Sequence, residues 1–355
     1  MRRRTRNRDC AQPRRHGSSK ISFLIACYLM SSGCGEESRS PWVALPTATD
    51  ATFRNIFFLD DDRGWIVGGG YGVDGGILGE TRDGGETWKF RTGIVAHPRS
   101  RLFHLNAIHF WDQRHGVIAA DGGRLLRTVD GGMNWHDQLS ASRRILSTLF
   151  VLEDGPGWAA GDQWVLRTMD AGETWQRMNI GEGTDSDFRA RSITFMDADR
   201  GLLVGHHGSI RRTTDGGRTW EKARVSGDLG SRVLSAVEFI DADTGWIVGE
   251  DGTLLESVDG GRSWALREKI TRADLNDLEF VNRTSGWIVG YDSSTGVSSI
   301  LRTQDGGSTW EEELAIEGEA LRSLIFPGER RGFAVGSRER RLPQRIFRYA
   351  PPPEP

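Results

Sequence analysis

Apolar residues along this chain come in short runs separated by glycine- and aspartate-rich turns, and long runs of helix-favouring Ala, Leu and Lys are missing. That pattern predicts strands rather than helices. Residues 233–239 (VLSAVEF), 245–249 (GWIVG), 253–257 (TLLES) and 263–267 give four strands in succession, and the same four recur along the sequence. Two marks keep the register. A phenylalanine closes the first run of each unit, at Phe58, Phe110, Phe150, Phe195, Phe239, Phe280 and Phe326. A glycine opens the second run, at Gly64, Gly116, Gly157, Gly201, Gly245, Gly286 and Gly332. The glycine follows the phenylalanine by six residues in six units, and the third unit carries one extra residue.

The turn between the third and fourth runs is itself a repeat. It reads TRDGGETW (residues 81–88), TVDGGMNW (128–135), TMDAGETW (168–175), TTDGGRTW (213–220), SVDGGRSW (257–264) and TQDGGSTW (303–310). Its aspartates, Asp83, Asp130, Asp170, Asp215, Asp259 and Asp305, lie 47, 40, 45, 44 and 46 residues apart. An aspartate here accepts hydrogen bonds from backbone N–H groups inside the turn, and the leading hydroxyl braces the same loop. The closing tryptophan is expected to pack between neighbouring sheets. One such turn per unit makes these six carboxylates structural rather than catalytic or metal-binding.

Four-stranded units at this spacing predict an all-β fold, a seven-bladed β-propeller of four-stranded blades over residues 41–349. The seventh unit, from Leu321, ends after a third run near residues 345–349, without the Asp motif and without a fourth strand. Trp42-Val43-Ala44-Leu45 precedes the first unit much as Trp220-Glu221-Lys222-Ala223 precedes the fifth. The N-terminal strand is therefore expected to complete the last blade, removing two open sheet edges. This scheme absorbs all of the thirteen tryptophans except Trp111 and Trp164.

Charge divides the chain. Eight of the 46 Lys/Arg and one of the 49 acids fall in residues 1–33, leaving 38 against 48 in the remainder. An acidic body argues against a nucleic-acid partner. The three cysteines, Cys10, Cys27 and Cys34, precede the body. The Arg-rich start, the apolar residues 21–30 and Ser31-Ser32-Gly33 before Cys34 resemble a bacterial lipoprotein signal. Residues 1–33 are then a signal peptide, Cys34 the lipidated residue, residues 34–40 a tether and 350–355 a Pro-rich tail. The domain would be exported and lipid-anchored, facing the periplasm, lumen or cell exterior.

Within the first runs, the position four before the phenylalanine reads Arg54, Asn106, Leu146, Arg191, Ser235, Asn276 and Arg322. The next reads Asn55, Ala107, Ser147, Ser192, Ala236, Asp277 and Ser323, short side chains suited to strands crowding an axis. Arg54, Arg191 and Arg322, with Arg144, Arg189 and Arg232 just upstream, have two readings. They form a basic rim that docks acidic or carboxylate-bearing protein segments, or they are solvated loop charges paired with nearby acids. Arg127, Arg167, Arg212 and Arg302 precede the Asp-motif hydroxyl and are expected to brace the motif.

The motif Ser/Thr-x-Asp-x-Gly-x-Thr-Trp is the Asp box, or bacterial neuraminidase repeat. Its register with the Gly-Trp-Ile-Val-Gly runs resembles the photosystem II stability/assembly factor family over about residues 41–349. Those proteins are seven-bladed propellers of the thylakoid lumen, and the cyanobacterial ones carry a lipoprotein signal. The resemblance implies a non-enzymatic, chaperone-like factor that binds membrane-protein segments during assembly, with no cofactor or metal, as a monomer. The alternative is a glycan-binding or sialidase-like glycoside hydrolase propeller. Against it, Phe53-Arg54-Asn55-Ile56 only faintly matches a sialidase Arg-Ile-Pro opening, and the body's tyrosines, Tyr71, Tyr291 and Tyr349, suggest no nucleophile pair. No HExxH, nucleophile elbow, P-loop or Cys/His cluster appears, and His206-His207 is a loop pair without a third ligand.

Overall fold

The computed structural model describes residues 40–71, 73–95, 102–139, 144–153, 155–180, 188–338 and 343–351. These belong to one compact unit, Ser40–Pro355; the segment Met1–Arg39, with the signal and Cys34, lies outside the described residues. Apart from two three-residue 3-10 turns, Asp121–Gly123 and His206–Gly208, every element among the described residues is a strand.

Units three, four and six are four-stranded antiparallel sheets with strands in sequence order. Units one and two share an eight-stranded sheet, because Gly69, Gly70 and Tyr71 pair with His104, Phe103 and Leu102. Unit five gains a fifth strand, Arg224–Ser226, lying parallel to Ser263–Leu266. In the last sheet Trp42–Pro46 pairs antiparallel with Arg345–Tyr349, Trp42 opposite Tyr349. The first strands of the units are Thr52–Phe58, Leu102–Phe110, Leu146–Val151, Ala190–Phe195, Leu234–Phe239, Asp274–Phe280 and Glu319–Gly328. Each packs on the next, and the last packs on the first.

Aromatic rings join the units. In six units the glycine opening the second strand admits the phenylalanine ring of its own unit. A Cβ at Gly64, Gly116, Gly201, Gly245, Gly286 or Gly332 would stand within 2.8 Å of that ring. In three units a tryptophan of the preceding unit stacks on the ring's face: Trp65 on Phe110 at 3.8 Å, Trp158 on Phe195 at 3.5 Å and Trp287 on Phe326 at 4.0 Å. The Asp-box tryptophan of the same unit meets its edge. Trp88–Phe58, Trp135–Phe110, Trp220–Phe195, Trp264–Phe239 and Trp310–Phe280 are T-shaped pairs 5.8–6.0 Å apart. Such pairs contribute about 0.5–1.5 kcal/mol each beyond the area they bury. In the last unit Trp42 takes the edge position, 5.9 Å from Phe326 at 88°. Its Nε1 donates to Glu313 (2.8 Å), which also accepts from Trp287 Nε1 (3.0 Å).

Unit three departs from the expected register. Val151, not Phe150, stands opposite Gly157, and Phe150 faces Trp158. The six-residue spacing therefore holds in every unit, with valine in the aromatic place. Trp111 makes up the missing ring: a Cβ on Gly157 would meet it at 2.9 Å and one on Gly172 at 3.2 Å. Its Nε1 donates to Gly155 O at 3.2 Å. That accounts for one of the two tryptophans outside the repeat.

The Asp-box carboxylates are consumed inside their own turns. In unit four Asp215 Oδ1 accepts from Thr213 Oγ1 (2.8 Å) and Thr219 N (2.9 Å), and Oδ2 accepts from Thr219 Oγ1 (2.6 Å). Thr213 Oγ1 in turn accepts from Gly217 N at 2.8 Å. The backbone bond to the carboxylate recurs at Asp83, Asp130, Asp170, Asp259 and Asp305. The side-chain and backbone bonds from Thr87 hold Asp83 down to a pKa of about 2. Gly216 and Gly217 have φ of 72° and 85°, which an L side chain rarely adopts.

Truncating Trp42 to Ala removes the edge contact on Phe326 and the bond to Glu313. A urea titration is expected to show a loss of about 3–5 kcal/mol, and Trp42→Phe an intermediate loss. An unmoved midpoint for Trp42→Ala would mean that the N-terminal strand carries no share of the stability.

Candidate functional site: the mouth of the central channel

Every ladder between a first and a second strand slips by one residue at the same place, and the last unit's ladder has a second irregularity between Ile325 and Gly328. The residues left over are Arg54, Asn106, Ser147, Arg191, Ser235, Asn276 and Arg322. A β-bulge re-aims the extra side chain. All seven of these residues line one cavity of about 490 Å³. Ser147 holds this place in unit three; Leu146, expected there, is fully buried, because Val151 sets the register one residue later.

Short polar side chains at the neighbouring level do more than leave room. Asn55 Oδ1 accepts from Ile108 N (3.0 Å), Ser192 Oγ from Val237 N (3.4 Å) and Asp277 Oδ2 from Leu324 N (3.0 Å). Asn106 and Asn276 donate to Leu146 O (2.9 Å) and Leu321 O (2.7 Å). Each bond crosses to the next unit and satisfies backbone groups facing the axis.

Of the six arginines singled out in the sequence, the structure brings together Arg54, Arg189, Arg191 and Arg322. Burial, with Arg322 and Arg191 nearby, lowers the Arg54 pKa to about 10 against the opposing pull of Asp121. Burial also lowers Arg191 and Arg322, the latter further through Arg191. Arg191 is exposed at the cavity mouth while protein atoms crowd around it. Two carboxylates line the mouth against four guanidinium groups. Asp121 favours the charge on Arg54 and Asp162 that on Arg191, and Arg54 Nη2 lies 3.3 Å from His104 Nε2. Asp121 accepts from His104 N (3.0 Å) and Asn106 Nδ2 (3.0 Å) and lies 3.2 Å from His104 Nδ1. The buried Nε atoms of Arg54 and Arg322 meet no acceptor among the described residues. Four guanidinium groups around one cavity suit an oxyanion held by paired donors.

Arg144 and Arg232 stand elsewhere. Arg144 bonds Gln163 and lies 6.0 Å over Trp164. Arg232 donates to Asp228 O at 3.2 Å and Asp251 at 3.4 Å. His104 and Asp121 also line the mouth and were missed in the sequence, and so does His206, expected only as part of a loop pair without a third ligand. Only the two-residue step from His104 to Asn106 points to one of them. The strand-three arginines split as well: Arg127 Nε donates to Ala171 O of the next unit's Asp box (3.0 Å), whereas Arg302 and Arg212 pair with Glu313 and Glu221 of their own sheets.

The channel changes character along its length. A second cavity, of about 280 Å³, shares the bulge residues and reaches Phe57, His109, Asp277, Glu279 and Ile325. Burial lowers the His109 pKa to about 4, and Phe57 lies 4.3 Å from its ring. Burial, then Asp277, raises Glu279 to about 8, and burial raises Asp277 to about 6. Glu238, which accepts from Phe280 N at 3.0 Å, is pushed well up by burial and Glu279. One end is thus cationic, and the other holds carboxyls whose ionisation is opposed by burial and by one another.

The family model described as Photosynthesis system II assembly factor YCF48 matches residues 35–145, 137–232 and 227–290. The chain belongs to this family. The photosystem II assembly lipoprotein Ycf48 of Synechococcus sp. (strain CC9902) is 30% identical over 170 residues, 45% of this chain and 48% of that protein. The chain therefore spans about half the length of that relative. The Ycf48 lipoprotein of Nostoc sp. (strain PCC 7120) is 32% identical over 290 residues, 58% of this chain and 84% of that protein. A solved structure described as YCF48 bound to D1 peptide has a TM-score of 0.68 at 24% identity, covering 89% of this chain and 96% of that one. The fold is a β-propeller.

The raised carboxyls set a pH dependence with a definite sign. Folded, Glu279 keeps a proton that the unfolded chain releases near its ordinary value of 4.5. Its contribution is full below that value and is lost as pH rises through about 8. The urea midpoint is expected to be lower near pH 9 than near pH 6, and Glu279→Gln to flatten the difference. An unchanged slope in the variant would show that Glu279 is ionised throughout.

Proposed function

We propose that the chain is a seven-bladed propeller closed by its N-terminal strand, tethered by a lipid on Cys34, which binds a protein segment at the arginine-lined channel mouth. The reading takes residues 1–33 as a signal peptide, 34–40 as a tether and 41–349 as the propeller. It makes the protein an exported, monomeric binding factor rather than an enzyme, acting on membrane-protein assembly intermediates in the periplasm, lumen or cell exterior. Two features support the ring: seven first strands pack in a closed cycle, and Trp42–Pro46 occupies the outer place of the last sheet. The family supports the binding role, since the relatives are named photosystem II assembly lipoproteins and a similar solved propeller is described as bound to D1 peptide.

One observation carries the site. Arg54, Arg189, Arg191 and Arg322 converge on a single cavity, and its Asp121 is already occupied by His104 and Asn106. The mouth therefore favours a segment that brings its own carboxylates, on acidic side chains or at a free C-terminus.

Fluorescence anisotropy with a labelled acidic peptide ending in a free carboxylate tests this. Replacing Arg54, Arg191 and Arg322 together with Gln should weaken binding at least tenfold, because each charge-assisted bond contributes about 1.5–3 kcal/mol. The fold is expected to survive, since the change removes mutually repelling charges. Undiminished binding would rule out the mouth. For the anchor, Cys34→Ala should move the protein from the membrane to the soluble fraction; sedimentation with membranes as before would discard lipidation at that residue.

A further inference from the structure

The position just before the Asp-box hydroxyl is charged in every unit: Glu80, Arg127, Arg167, Arg212, Glu256 and Arg302, with Arg348 at the matching place in the last sheet. Six of the seven have a hydrogen-bonding or ion-pair partner. Glu80 pairs with Arg82 at 2.7 Å, Arg212 with Glu221 at 3.1 Å, Glu256 with Arg267 at 3.3 Å and Arg302 with Glu313 at 3.2 Å. Arg348 pairs with Glu86, and Arg127 Nε donates to Ala171 O at 3.0 Å.

Arg167 is the exception. It is 8% exposed, and its guanidinium lies over the Trp158 ring with the central carbon 5.5 Å from the centroid. Its Nε is sealed from solvent, and no acceptor among the described residues takes a hydrogen bond from it. Asp199 and Asp215 favour its charge through space, while burial and Arg218 oppose it. The repeat explains the vacancy. Arg127 reaches the carbonyl of Ala171, next after the aspartate in the following unit's Asp box, and Gly216 O is the corresponding acceptor for Arg167. That oxygen already accepts from Trp158 Nε1 at 3.0 Å. Unit two has Val117 where unit three has Trp158, so Ala171 O stays open to Arg127. The Trp158 ring supplies no acceptor, and a sealed N–H left unbonded is costly unless something else supplies one.

The space beside it has a defined chemistry. A cavity of about 280 Å³ is lined by Arg167, Met169, Thr174, Gln176, Met178 and Arg218, none of which lines the channel. Arg218 spends one N–H on Asp215 O (3.0 Å) and is otherwise exposed. Met169 is 67% exposed at the mouth and Met178 is 9% exposed.

We propose that this cavity between units three and four is an oxyanion-binding site. It takes a carboxylate or phosphate group on the Arg167 guanidinium, with Arg218 as second donor and Met169 and Met178 against the ligand's apolar neighbour. A planar fork of N–H donors matches either group, and the methionine thioethers adapt to what is attached to it.

The methionine methyl groups report directly on the cavity. With methyl-labelled methionine, the protein is titrated with sodium phosphate and, separately, with sodium acetate, at ionic strength held constant with chloride. Saturable shifts of the Met169 and Met178 methyl resonances are expected, with apparent affinity at least tenfold weaker in Arg167→Leu and weakened in the exposed variant Arg218→Gln. Saturation by phosphate alone assigns a phosphate-bearing ligand, by acetate alone a carboxylate, and by both the shared oxyanion chemistry. No saturable shift with either anion overturns the site. So does undiminished binding in Arg167→Leu, or in Arg218→Gln if the first variant does not fold.

Discussion

A phenylalanine ring gripped on its face by one unit and on its edge by another is the contact on which the remaining architecture depends. Phe110 lies between Trp65 and Trp135, Phe195 between Trp158 and Trp220, and Phe326 between Trp287 and Trp42. The glycine below it must lack a side chain, which fixes the start of every second strand. The Asp box must bend tightly enough to return its tryptophan to the ring's edge, which fixes the turn. Once both constraints hold, each sheet can meet the next only in one register. Four short strands that would be marginal alone thus share a core with their neighbours.

The site follows from the same registration. Because the ladder is pinned at the glycine end, the surplus residue of each first strand is forced out at the opposite end, always toward the axis. The sequence then decides what stands there: three arginines, two asparagines and two serines. Collecting like charges in an enclosed space is unfavourable, as the lowered pKa of Arg54 reflects. A fold optimised only for stability would not do so. At the far end burial and mutual repulsion push the carboxyls of Glu238, Asp277 and Glu279 toward their neutral forms, so the two ends of the bore differ in chemistry.

Much of the fold could be read in the sequence, because the repeat states each local rule several times over. The strands, the Asp-box turns and the resemblance of the Trp42 segment to an outer strand all rest on residues close together in the chain. Where the reading slipped, the cause was a contact between distant residues. Counting back from Phe150 put Leu146 at the axis. The ladder counts from Val151, because Trp111, in the preceding unit, supplies the ring that unit three lacks. Arg54, Arg191 and Arg322 could be grouped by spacing alone, whereas Arg144 and Arg232 found partners on neighbouring loops, and His104 and Asp121 carry no repeated mark. The isolation of Arg167 was illegible for the same reason. It arises from competition between Trp158 and Arg167 for one carbonyl in the following unit.

Pairing the first strand with the last has a consequence in time. Trp42 must wait for Tyr349, about 300 residues later, before its ladder exists. Until then a chain growing from its N-terminus has sheets at both extremities with bare backbone edges, each a template for any extended polypeptide nearby. The late arrival of the C-terminal residues thus acts as a checkpoint. A chain cut short anywhere before them is left adhesive at two ends, and only a complete copy can hide both.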